Sequence, residues 1–246
     1  MQARSPFTLL GLCLLVIGLL LALTSYLILH FMPFTALGAS TLILAAVSLA
    51  LGRGQPRVPP EISGMLLDSG LENTASLIEE LGLASKAVYL PSSLAGGKPR
   101  ALLPLSPNEK PIPEKALPNR LVVRYGPRPT DMGILITTLG SVAVQRFGPL
   151  TPGGDLEGAI SSILVGPADL ADGLKVVEKG NAITVEVTNP RIEHDNMKVF
   201  ENIGTPLASV VASATAETKG MPVQILREER QGNKWIVELN LLRRSP

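Results

Sequence analysis

The stretch TPLASVVASATAETKG at residues 205–220, followed by VQILREERQGNKWIVELNLL at 223–242, decides the fold class. Thr205 is a hydroxyl N-cap and Pro206 occupies the first helical position, where its missing N–H costs nothing. The helix runs to about Lys219 and stops at Gly220. The spacing predicts a helix from Pro206 to Lys219, with Val210, Val211 and Ala214 on its inner face. Next, Val223–Arg230 and Lys234–Leu242 flank Gly232-Asn233, a turn signal between two strands. Trp235, Val237, Leu239 and Leu241 fall on one face, and Ile236 and Glu238 on the other, which is the period of a half-buried strand. Trp235, the sole tryptophan, is expected to anchor the core.

Working outward, the same order of elements recurs twice. Asp155 caps a helix whose apolar residues are Leu156, Ala159, Ile160, Ile163 and Leu164, ended by Gly166-Pro167. Leu174–Glu178 and Ala182–Thr188 then form a hairpin around Gly180-Asn181. Ile183, Val185 and Val187 alternate there with Thr184, Glu186 and Thr188. Further upstream, Leu71–Leu81 reads as a helix with Leu71, Ala75, Ile78 and Leu81 on one face and Gly82 as its cap. Lys86–Leu90 and Arg100–Leu105 follow as strands around Gly96-Gly97, read as a hairpin turn. Leu121–Tyr125 and Gly133–Thr137 are further strand candidates, and Leu139–Phe147 is a short helix candidate. Three helix–hairpin (αββ) units imply mostly antiparallel pairing. The expected class is therefore α+β, with helices against a largely antiparallel sheet.

The N-terminal end is of another kind. Between Phe7 and Leu51 there is no Asp, Glu, Lys or Arg, whereas all 21 acids lie after residue 60. Phe7–Leu29 and Phe34–Leu51 are apolar runs of membrane-spanning length, separated only by His30-Phe31-Met32-Pro33. The first run is too long for a signal peptide and leads directly into the second. The expectation is a two-helix transmembrane hairpin over 1–52, a proline-rich linker over 53–60 and an α+β domain over 61–246. Arg4, Arg53 and Arg57 flank a turn free of Lys and Arg. By the positive-inside rule, this sets a two-pass protein in the cell membrane, with its N-terminus and distal domain both cytoplasmic. Gly11 and Gly18, with Ala36/Ser40 and Ala46/Ala50, offer small-residue contacts between the two helices.

Chemistry is sparse. The one cysteine, Cys13, lies in the first apolar run and reads as a small hydrophobe. The two histidines, His30 and His194, cannot build a site with the usual multiple His or Cys ligands. Arg191-Ile192-Glu193-His194-Asp195 is the best catalytic-looking cluster, since a histidine beside acids can act as a general base. No nucleophile elbow accompanies it. Gly96-Gly97-Lys98-Pro99-Arg100 lacks the spacing of a phosphate loop, and Pro99 blocks the helix that should follow. Thr151–Asp155 precedes a helix, but Asp155 takes the cap position and would repel an anion. No catalytic, cofactor-binding or metal-ligating residue is assigned, and no cofactor is expected. The charge after residue 52 balances, 21 basic residues against 21 acids, which speaks against a nucleic-acid partner.

Pro60-Glu61-Ile62, Leu71-Glu72-Asn73, Leu81-Gly82-Leu83 and Ala87–Ser92 carry a resemblance. They resemble stretches of uncharacterised prokaryotic membrane proteins of the archaeal kind with a two-helix N-terminus. That resemblance implies a membrane anchor and transfers no activity. The functional expectation is a non-enzymatic, membrane-anchored protein. Its partners would be the lipid bilayer, through residues 7–51, and another membrane or membrane-associated protein that its domain binds or scaffolds. A small-molecule or lipid sensor is the alternative, and an enzyme ranks third.

Overall fold

The computed structural model describes residues 6–29, 32–54, 60–83, 85–106, 112–113, 115–147, 150, 152–192 and 199–243. The chain forms two compact units, Met1–Ser69 and Gly70–Pro246.

In the first unit, α1 (Pro6–Thr24) continues into a π-helical turn at Ser25–Leu29, and α2 spans Met32–Gly54. Phe7–Leu27 and Met32–Arg53 are each long and apolar enough to cross a membrane. Pro33 does not break the second helix. It lies in the first turn, where no intrahelical donor is lost. Gly11, Gly18 and Ser25 are buried at seven-residue intervals, the repeat of a helix–helix seam. A Cβ on Gly11 would stand 2.8 Å from Leu49, and one on Gly38 2.7 Å from the Ala22 nitrogen, so glycine lets the backbones approach. On α2 the seam is Gly38, Leu42, Ala45 and Leu49. The expected Ala36/Ser40 and Ala46/Ala50 pairs instead face outward, one helical step from it, as does Cys13.

The second unit is built on one eight-stranded sheet: β1 (Val88–Leu90), β2 (Arg100–Pro104), β3 (Val122–Arg124), β4 (Met132–Ile136), β5 (Gly173–Lys179), β6 (Ala182–Thr188), β7 (Val223–Gln231) and β8 (Lys234–Leu241). Their order is β3-β4-β2-β1-β7-β8-β6-β5, and every pairing is antiparallel. The α+β class and its antiparallel sheet are thus as the sequence implies. Helix α3 (Pro60–Glu80) begins well before Leu71, because Pro60 is tolerated at a helix start. Residues 55–59 of the expected linker lie outside the described residues. Gly82 at φ +61° closes α3 in a Schellman motif, its N–H donating to Glu79 and that of Leu83 to Ile78. Consequently Ile78 and Leu83 meet the core, while Leu81, expected on the buried face, is exposed.

The remaining helices are α4 (Leu139–Phe147), α5 (Leu156–Leu164), α6 (Val199–Ile203) and α7 (Pro206–Lys219). They share one core with the strand residues Tyr89, Leu103, Ile134, Val185 and Leu239. Val88, Leu90, Leu102 and Leu135 point the other way, into a smaller core with Ala95 and Leu117 from the loops. α7 lies at the centre. Eleven of its 14 residues are buried, not only the three expected on an inner face, which marks a helix packed on all sides. Its alanines and serines keep it slim. A Cβ on Gly140 would stand 1.9 Å from the Ser209 carbonyl oxygen, so α4 approaches α7 backbone to backbone. Asp155 caps α5 by accepting from the Glu157 and Gly158 amides, an arrangement that stabilises by about 1 kcal/mol.

The two tight hairpins have Gly180 and Gly232 at positive φ while Asn181 and Asn233 keep ordinary φ, which matches a type II′ turn. The Gly96-Gly97 connection is longer than a hairpin turn. It runs from 91 to 99 and is held by Leu94 and Ala95 amides on the Pro91 carbonyl and by the Gly97 amide on Ser92. The β5 edge of the sheet is partly closed, since the Val176 amide donates to the Glu157 carboxylate of α5 at 2.9 Å.

Candidate binding cleft

Of the catalytic-looking cluster, Arg191 and Ile192 are described; Glu193, His194 and Asp195 lie outside the described residues, as does His30. Arg191 pairs with Asp169 and, at 2.7 Å, with Asp172. Asn189 donates its amide to Asp172 as well. These bonds hold the Asp172 carboxyl below the usual carboxylate range, Asn189 contributing most and Arg191 next. Asp169 and Asn189 both adopt positive φ, a conformation that their short polar side chains tolerate. The group stitches two loops together. No three His, Cys, Asp or Glu residues come together as a metal site among the described residues.

A cleft of about 390 Å³ opens where β7 leaves its neighbour. Only Val223 and Gln224 of β7 pair with β1, yet the strand continues to Gln231. From Ile225 onward, its β1-side edge has no strand beside it among the described residues. The register slips between Ile225 and Arg227, leaving Leu226 without a partner on β8. This bulge reverses the parity of the strand. Val223 and Ile225 are buried on the helix face before it, and after it Glu228 opposes buried Val237, and Arg230 opposes Trp235. Lys86 Nζ donates to the Leu226 carbonyl that the bulge leaves free.

The parity change delivers Glu228 to the start of α7. Its carboxylate accepts from the Thr205 amide at 3.0 Å, the Thr205 hydroxyl at 2.5 Å and the Trp235 indole at 3.4 Å. An anion at a helix N-terminus meets unsatisfied amides and the positive end of the dipole. Trp235 packs on the core as expected, but it is half-buried, and its outer surface lines the cleft. Six of the 13 lining residues are charged: Lys86, Glu201, Arg227, Glu228, Glu229 and Arg230. Phe200 and Trp235 supply the rings.

Beneath the cleft, Tyr89 donates its hydroxyl to the Ile203 carbonyl. Burial pushes its phenol far above the ordinary range, and the Glu228 charge adds to this; the Ser209 and Thr138 hydroxyls pull weakly the other way. Ser209 in turn accepts from the Gly140 amide at 3.0 Å. The cleft floor is therefore fixed to α4 and α7 through a chain of buried hydroxyls. Sequence reasoning passed over Glu228 entirely. Its one visible signal is the broken alternation Ile225-Leu226-Arg227-Glu228.

An apolar helical pair ahead of an antiparallel α+β unit with a charged cleft beside β7 defines the class of protein. The chain belongs to the family described as Domain of unknown function (DUF7982), whose model matches residues 2–241. No curated protein and no solved structure matches it.

Proposed function

We propose that this chain is a membrane-anchored, non-enzymatic binding protein, two-pass and with its N-terminus and its 61–246 domain in the cytoplasm. Its β7 cleft would receive an extended segment of a membrane-associated protein. The observation that carries the reading is the β1-side edge of β7 past Gln224, which has no strand beside it among the described residues. A free strand edge offers main-chain donors and acceptors to an added strand, and flanking pockets choose its side chains. The six charged lining residues suit a peptide backbone and its charges better than an apolar ligand. Anchoring in the bilayer raises the effective concentration toward membrane neighbours.

A photo-reactive residue at Arg230, beside the cleft, is expected to cross-link a partner in cells. The same probe at Lys175, on the edge strand β5, should not. Arg227→Glu should lower the Arg230 yield severalfold without altering membrane association. Equal adducts at both positions would sink the cleft reading. For sidedness, Gln231→Cys in a Cys13→Ser background should resist an impermeant thiol reagent in intact cells, and labelling there would place the domain outside.

A further inference from the structure

The charge balance of the domain is not uniform along the chain. Between Lys86 and Leu150 there are nine Lys or Arg against three Asp or Glu, whereas Asp155–Arg243 carries thirteen acids against nine bases. The first of these segments contains β3, the edge strand opposite β5. Around it Lys115, Arg120, Arg124 and Arg128 are all exposed. Among the described residues none of the four pairs with a carboxylate. Arg124 is spent on turn carbonyls, donating to Gly126 at 3.0 Å and to Pro127. The one described acid of the segment, Asp131, is turned inward. It is only 8% exposed and accepts the Arg128 amide at 2.9 Å. Gly126 makes room for it, since a Cβ there would stand 2.4 Å from the Asp131 carboxylate. Among the described residues, the segment thus hides its negative charge and displays its positive ones.

The same edge is apolar. Leu121 is 59% exposed, Val122 49% and Met132 38%. Arg124 lies opposite Met132, and Val122 shares their face two residues earlier, so a cation sits among exposed apolar side chains on one strip. A solvated edge guarded against pairing needs the charges but not the apolar tips. Charge together with shallow apolar side chains is the chemistry of a surface that settles into lipid headgroups.

We infer that the β3 edge of this domain docks on an anionic bilayer surface, the arginines meeting phosphate and carboxylate headgroups and Leu121 and Val122 entering the interface. The cytoplasmic leaflet is the anionic one, and each Lys or Arg near it contributes attraction that decays within a Debye length. This docking rests on the membrane-anchored reading for its location, but not on the cleft.

The test uses the full chain in lipid nanodiscs, either neutral phosphatidylcholine or the same with phosphatidylserine. Val122→Cys, in a Cys13→Ser background, carries an environment-sensitive fluorophore, with nitroxide lipids as quencher. Phosphatidylserine is expected to shift the emission to the blue and strengthen quenching severalfold, reversibly with salt. Arg120→Glu with Arg124→Glu should abolish the response while Trp235 emission stays native. A label on Cys13 of the unaltered chain reports insertion separately. Quenching at Val122 without quenching at Cys13 overturns the anchor and leaves the docking surface standing. Equal signals in neutral and anionic discs overturn the docking, as does protection at Val122 only after RNA or an acidic polypeptide is added.

Discussion

Gly140→Ala sets two effects against each other with opposite signs. Gly140 lies in the second position of α4, a helix in which alanine is favoured over glycine by about 1 kcal/mol. Propensity alone therefore predicts a more stable protein. The packing predicts the reverse. The added Cβ would stand 1.9 Å from the Ser209 carbonyl oxygen, 2.3 Å from its carbon and 2.6 Å from Ser213 Oγ. Ordinary contact begins at 3.4 Å, so α4 and α7 must separate by about 1.5 Å. Two of those atoms are backbone of a buried helix and cannot swing aside. Overpacking costs about 1–3 kcal/mol. The separation also strands the Gly140 amide, now 3.0 Å from Ser209 Oγ, at a further cost of about 1–3 kcal/mol. Net of the propensity gain, the expected loss is about 1–5 kcal/mol.

The sole tryptophan, Trp235, lies in the second unit, so its emission during urea unfolding in mild detergent reports that unit alone. With a slope of about 2 kcal/mol per molar, the midpoint should fall by about 0.5–2.5 M. Gly70→Ala is the control. It lies within α3 with nothing within 4 Å of the added Cβ, and it should raise stability by up to about 1 kcal/mol. A Gly140→Ala midpoint at or above wild type would refute the close approach of α4 and α7.

Glu228→Ala should cost about 1.5–3 kcal/mol, because it strips a charged acceptor from the Thr205 amide and hydroxyl. Far-UV circular dichroism is the measure, since the substitution also removes the indole partner, and a loss under about 0.5 kcal/mol would make the carboxylate incidental. Tyr89→Phe should cost about 0.5–1.5 kcal/mol at pH 8 by losing the bond to Ile203. The phenol is held protonated in the fold, whereas an unfolded tyrosine ionises near pH ~10. Its contribution is therefore complete below pH ~10 and is lost as pH rises above it. The gap between wild type and Tyr89→Phe should narrow from there upward, and a constant gap to pH ~11.5 would contradict the burial of the hydroxyl.

Elements whose determinants are local were readable in the chain. Thr205 and Pro206, Asp155, Gly82 and Gly220 cap through bonds made within a few residues, so composition fixes them. The alternation of Ile183, Val185 and Val187 needs only a two-sided sheet. α6 was not foreseen, because five residues carry too little periodicity. The strand order was not readable either. β1 meets β7, and β6 meets β8, through contacts far apart in sequence that no turn signal specifies.

The cleft was hidden for a different reason. Strict alternation carried past Ile225 would turn Arg227 and Glu229 toward the helices and Glu228 toward solvent. The bulge at Leu226 inverts that assignment, and one unpaired residue changes which of three adjacent charged side chains reaches α7. Lys86, 140 residues away, answers the carbonyl that the bulge releases. The net charge is silent on placement in the same way. Balance over the domain speaks against a nucleic-acid partner but does not say where the charges lie: Asp131 is folded into its own turn, and Lys115, Arg120, Arg124 and Arg128 are exposed around β3. Both features depend on which face a charge occupies, and that is fixed by register and burial rather than by composition.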